Sequence, residues 1–156
     1  MRRSDREVSD MQGILEIIDK CQVARLGLSD NGAPYIVPLN FGYEYNGGKL
    51  VFYFHSAREG RKVDILKSNP KVCFELDSLL QVKKDDDPCK WTSLYESVIG
   101  YGEISFVEDA DGKKAAMDAL MRHCGFSGTP RYDSAVFART QIFRLDVETV
   151  TGKRHI

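Results

Sequence analysis

Apolar and polar residues alternate along most of this chain, and the places where the alternation breaks divide it into elements. Ser4-Asp-Arg-Glu7 has the form of a capping box, and Val8, Met11, Ile14, Leu15 and Ile18 follow at helical spacing. This predicts an amphipathic helix over about 5–20. Residues 21–29 read as a strand with Ala24, Leu26 and Leu28 on one face, and Asp30-Asn-Gly32 supplies a tight hairpin turn. The next strand runs over about 34–45 and contains Pro38, which cannot donate to a ladder and so belongs at an edge, bulge or break. Asn46-Gly-Gly48 turns the chain into an aromatic strand, 49–55.

After a polar loop the pattern becomes helical to Ser68, with Val63 and Leu66 inward and Ile65 beside them. Asn69-Pro70 stops it, and 71–80 returns as strand. The segment 91–107 is a long strand whose Gly100 and Gly102 mark a bend, 113–123 is a helix with Ala115, Ala116, Ala119 and Leu120 as its apolar face, and Gly125 ends it. Residues 126–133 are loop. Alternation over 136–147 predicts the closing strand. Short turns between some six antiparallel strands, with a few helices, describe a mainly β chain: an antiparallel barrel with peripheral helices.

Composition narrows the picture without naming a reaction. The 156 residues suit one domain over 1–156, with the barrel at about 21–150 and a short C-terminal tail; 42% hydrophobic and 29% charged residues are ordinary for a soluble protein. A net charge of −1 and the absence of long basic runs argue against nucleic acid and anionic membranes as partners. No apolar stretch approaches a membrane span or a signal sequence, so a cytoplasmic location is expected. Cys21, Cys73, Cys89 and Cys124 show no metal spacing, and Cys21 and Cys73 read as small core residues. Asp85-Asp-Asp87 lacks the spacing of a calcium loop and reads as a solvated turn. Ser97 has no G-x-S-x-G elbow, which weighs against a hydrolase. His123 reads as a helix-end or surface residue.

The chemistry gathers where the aromatic strand meets the helix. Ser56 offers a hydroxyl, Gly60 allows close backbone approach, and Arg61-Lys62 stand at a helix N-terminus, where free N–H groups and the dipole favour an anion such as a terminal phosphate. A solvated basic turn would carry the same residues. His55 either contacts a bound group, shuttles a proton, ligates a haem, or simply ends a strand.

The run Phe54-His-Ser-Ala-Arg-Glu-Gly-Arg-Lys62 followed by Asn69-Pro70 resembles the flavin-phosphate motif of the pyridoxamine 5′-phosphate oxidase-like FMN-binding split barrels. The nitroimidazole-resistance (Nim-type) branch is the nearest in pattern. In that superfamily an Arg-Lys pair about eight residues before Asn-Pro holds the FMN phosphate, and Arg61-Lys62 match it. The likeness extends over 35–43 and 96–104, so it covers most of the chain from about Asp10.

The resemblance implies a six-stranded antiparallel split β-barrel with peripheral α-helices, and a flavoprotein oxidoreductase that reduces a small acceptor such as a nitroaromatic, with NAD(P)H as a donor. It implies FMN, with FAD, F420 and haem as alternatives, held by Arg61, Lys62, Ser56 and Ala57, with Phe54 and His55 beside them and main-chain groups of Pro38, Leu39 and Asn40 along the ring. It implies a homodimer with flavin at the interface, where Trp91, Glu96, Ser97 and Val98 would lie by the flavin or reach it from the second subunit. Trp91 could equally be core. The ending Thr151-Gly-Lys-Arg-His-Ile156 lacks the substrate-phosphate segment of the oxidase proper, which argues against vitamin B6 as substrate. A flavin- or haem-binding module without turnover, and a barrel used only for protein contacts, are the other readings.

Overall fold

The computed structural model describes residues 3–156. One antiparallel sheet runs through it: β1 Glu7–Val8, β2 Ala24–Asp30, β3 Ala33–Leu39, β4 Phe41–Asn46, β5 Lys49–Ala57, β6 Lys71–Lys83, β7 Thr92–Val107 and β8 Thr140–His155. The spatial order is β3-β2-β6-β7-β8-β5-β4, with β1 pairing on β8. Phe52 of β5 meets Phe74 of β6 at 5.0 Å between ring centroids although two strands separate them in the sheet. The sheet is therefore rolled, and one core of Leu26, Phe41, Phe52, Phe54, Phe74, Leu76, Val98, Phe143 and Leu145 fills its interior. Its ends, β3 and β4, stay unpaired with each other, so the barrel is split.

Both predicted hairpin turns are present. Asn31 (φ 49°) with Gly32 (φ 90°), and Gly47 (φ 58°) with Gly48 (φ 81°), take the left-handed conformations that two-residue hairpin loops require. The two-residue turn makes Asp30 and Ala33 a hydrogen-bonded pair, so 33, 35, 37 and 39 bond β2 while 34, 36 and 38 face the open edge. Pro34 and Pro38 thus lose no ladder bond. The expected single strand over 34–45 divides at Asn40, whose side-chain amide donates to the Gln22 carbonyl at 2.9 Å.

Four expectations are corrected. The N-terminal helix α1 spans Met11–Lys20, capped by Asp10 accepting from the Gly13 amide at 2.7 Å; Ser4–Arg6 is a 3-10 turn and Glu7–Val8 a strand, because β8 offers them a partner. The described residues form eight strands rather than six. Residues 136–139 belong to a short helix, Ser134–Arg139, capped by Asp133. The supposed tail is the end of β8, paired on both sides. Two further helices, Arg61–Ser68 and Ala110–His123, are α2 and α3, and Ser134–Arg139 is α4. α3 is capped by Asp109 and leaves Ala115 exposed, while Gly125 (φ 87°) ends it in a Schellman turn: Gly125 N–H donates to Arg122 O and Phe126 N–H to Met121 O. No helix among the described residues is long and apolar enough to cross a membrane.

His123 does more than end that helix. Its Nε2 donates to the Cys21 carbonyl at 2.7 Å and its ring packs 4.3 Å from Phe41, fastening α3 to the barrel. Of the two cysteines expected inside, Cys21 is buried and Cys73 only half-buried.

A second fastening is ionic. Glu96, 1% exposed, accepts from Lys20 Nζ at 2.8 Å and from Arg154 Nε at 2.6 Å, joining α1, β7 and the end of β8. Burial alone would raise its pKa, but the hydrogen bonds from Lys20 and Arg154 outweigh that and hold the carboxyl below its ordinary value of 4.5. Its stabilising contribution is complete above pH 4.5 and is lost as the pH falls through the lower folded pKa. Glu96→Gln should cost about 2–3 kcal/mol, since Lys20 and Arg154 can turn to water. Urea unfolding at pH 7 and pH 4 checks this: the gap between variant and wild type should shrink at the lower pH.

Candidate functional site

The site is built on the corner between β5 and α2. Alternation carries Phe52 and Phe54 into the core and sends Tyr53, His55 and Ala57 to the other face. The strand ends where Arg58-Glu-Gly60 leaves the ladder, and Gly60 at φ 126° turns the chain into α2, a conformation that disfavours a side chain. Val63, Ile65 and Leu66 bury the inner face of α2. The other three α-helices begin with aspartate: α1, α3 and α4 are capped by Asp10, Asp109 and Asp133. α2 has Gly60 and no side-chain cap, so its first amides point outward unclaimed by a side chain.

Beside that N-terminus lies a cavity of about 420 Å³ lined by Leu39, His55, Ser56, Ala57, Lys62, Val136, Arg139 and Thr140. It joins the open edge of β3, the end of β5, the start of α2 and the α4–β8 junction. Ser56 Oγ donates to the Ala57 carbonyl at 2.6 Å, leaving its lone pairs free. His55 sits at the exposed rim, yet desolvation by the wall, with the Lys62 cation second, lowers its pKa below the ordinary 6.5. The imidazole is therefore neutral at pH 7.

The structure brings together Leu39, His55, Ser56, Ala57 and Lys62 of the predicted site. Pro38 and Asn40 flank Leu39 on the same edge. Arg61 turns away: its Nη2 and Nε lie 3.1 and 3.2 Å from Asp30, and the guanidinium stands 4.7 Å over the Tyr35 ring. Phe54 and Val98 are core, 1% and 0% exposed, and Glu96 is consumed by its two cations. Their side chains cannot line a ligand site in this chain. Trp91 is exposed, with its indole N–H donating to Asp85 O, and Ser97 pairs opposite Lys153. Thr140 lines the cavity at the start of β8 whereas Lys153 lies near the end of that strand, and neither Trp91 nor Ser97 is among the residues lining their own chain's cavity. The sequence reading missed Val136, Arg139 and Thr140; only the correct end of α4 would have pointed to them.

Residues 10–154 match the family model described as pyridoxamine 5′-phosphate oxidase. The chain belongs to this family. A candidate 5-nitroimidazole antibiotic resistance protein of Bacteroides thetaiotaomicron VPI-5482 is 32% identical and superposes with a TM-score of 0.81 over 94% of this chain and 85% of that one. An FAD-binding protein of Mesorhizobium loti (24% identity, TM-score 0.67, 97% and 98% of the two chains) shares the fold. So does an FAD- and haem-binding protein of Mycobacterium smegmatis (19% identity, TM-score 0.80, 96% and 73%). No protein of curated function matches the chain in sequence. The rolled sheet with peripheral helices is thus the pyridoxamine 5′-phosphate oxidase-like split barrel.

The His55 environment gives a direct check. Burial and Lys62 both disfavour the imidazolium, so an NMR titration of the His55 ring should have its midpoint below 6.5. Lys62→Ala should move the midpoint up. A wild-type midpoint above 6.5 would contradict the geometry.

Proposed function

We propose that this chain is an FMN-binding oxidoreductase. The observation that carries the reading is the cavity that joins Ser56, Lys62 and the uncapped start of α2 to the open edge of β3. The residues present fit a flavin phosphate: a cation and backbone N–H groups unclaimed by a side-chain cap stand together, a hydroxyl lies beside them, and no carboxylate lines the cavity. Lys62 holds the phosphate with the amides at the start of α2, and Ser56 joins them by turning its hydroxyl from the Ala57 carbonyl to the ligand. Arg61, kept close by Asp30 and Tyr35, adds positive potential and can turn inward. The open edge of β3 offers the Pro38 main-chain carbonyl to the polar rim of a planar ring, with Leu39 and Asn40 beside it.

A bound flavin supplies the electron transfer, accepting a hydride from a donor and passing electrons to an acceptor. The residues of the chain bind, orient and limit access. A nicotinamide donor and a small nitroaromatic acceptor suit this arrangement, a choice supported by the 32%-identical neighbour named for nitroimidazole resistance. The outer sheet face leaves Ile36 and Tyr101 at 66% and 57% exposed in the lining of a cleft of about 600 Å³, and a second copy of the chain covers it, giving a homodimer in the cytosol. Within that dimer Trp91 and Ser97 act only across the interface.

The neutral His55 at the cavity rim favours one second reading, a haem- or flavin-binding module without turnover, because an unprotonated imidazole can ligate a metal. Titration of the purified protein with FMN, followed by flavin fluorescence, tests the first reading. Lys62→Ala should weaken FMN binding by about 10- to 100-fold, the size of one charge-assisted hydrogen bond, and leave riboflavin binding unchanged. Wild-type protein that binds no FMN refutes the proposal. Oxidation of NAD(P)H with a nitroaromatic acceptor then separates an oxidoreductase from an inert binder.

A further inference from the structure

The helix α4 contributes nothing to the core. Its six residues include none that is buried, and it is held by local bonds: Asp133 caps the Ala135 and Val136 amides at 3.0 and 2.9 Å, and Thr140 Oγ1 donates to Val136 O at 3.0 Å. Next to it Tyr132 stacks on Phe137 at 5.4 Å and donates to Asp118 at 2.8 Å, tying the segment to α3. What α4 and its junction with β8 do supply is one wall of the cavity: Val136, Arg139 and Thr140. Arg139 is exposed, with its Nε donating to the Ala135 carbonyl at 3.2 Å, a bond that steadies the stem and leaves the outer guanidinium N–H groups available.

Among the described residues neither Lys62 nor Arg139 takes part in an ion pair, whereas Arg61 at the adjacent position does. Two like charges face one open cavity with no carboxylate among its lining residues, and His55 there is neutral. An anion carrying close to two charges balances them, which is the charge of a phosphate monoester at pH 7. Arg139 also has the planar fork that engages two phosphate oxygens at once, which Lys62 lacks.

We propose that Arg139 is a phosphate-binding residue opposing Lys62 across the cavity, so that α4 is a specificity element that selects phosphorylated flavin over riboflavin. The inference rests on the flavin reading above and adds a residue from a part of the chain outside the Arg-Lys motif. Arg61, paired with Asp30, has the secondary part in the phosphate contact.

Dissociation constants for FMN, FAD and riboflavin, measured by flavin fluorescence on wild type, Arg139→Gln and Arg139→Lys, test it. Arg139 is exposed and its loss leaves the core untouched, so the melting temperature of each variant should equal that of wild type. Arg139→Gln should weaken FMN by about 10- to 100-fold and riboflavin by less than about twofold, and Arg139→Lys should recover part of the loss. Loss for FMN alone marks the terminal phosphate as the contact, and equal loss for FAD marks the phosphate that the two flavins share. An Arg139→Gln variant that binds FMN as wild type does overturns the role of Arg139 while leaving the flavin site standing. Wild-type protein that binds none of the three overturns both.

Discussion

An unpaired sheet edge is the constraint on which the site depends. β3 cannot take another strand along its outer side, because Pro34 and Pro38 face that side and neither has an N–H to give. The sheet therefore rolls without closing, and its two ends are left joined only through Asn40. Free main-chain groups on an exposed edge are ordinarily an aggregation hazard. Here they run toward the corner where β5 gives way to α2, and a planar ligand lying along them would satisfy groups that the fold leaves open.

Electrostatics at that corner follow from what is missing as much as from what is present. Gly60 places α2 without a side-chain cap, so the positive end of the helix faces the cavity together with Lys62 and Arg139. Asp30 draws Arg61 aside, and Tyr35 supplies the surface it rests on. Elsewhere the chain uses charge to fasten elements: Glu96 holds α1 to the last strand through Lys20 and Arg154. The same residue types fasten elements where a carboxylate is in reach and line the cavity where none is.

Much of this was legible in the residues. Turns at Asn31-Gly32 and Gly47-Gly48 announce themselves because positive φ restricts which residues can sit there, and the alternation of Ala24, Leu26 and Leu28 follows from one buried face. The motif around Ser56 to Lys62 is local, so its corner was readable too. Contacts between distant segments were not. Glu7–Val8 is a strand only because β8 lies beside it, and Glu96 is buried only because Lys20 and Arg154, 76 and 58 positions away, arrive to pair it. Residues 136–139 continue the alternation of β8, yet Asp133 caps a helix there, which hid Arg139 from a reading by periodicity.

The central claim is that this corner holds a flavin by its phosphate, and the visible absorption spectrum of the protein tests it most directly. Protein incubated with FMN and passed through a desalting column should retain flavin bands, and Arg61→Ala/Lys62→Ala should lose them. A protein that emerges colourless, or one that carries a single Soret band in place of flavin absorption, would contradict the account.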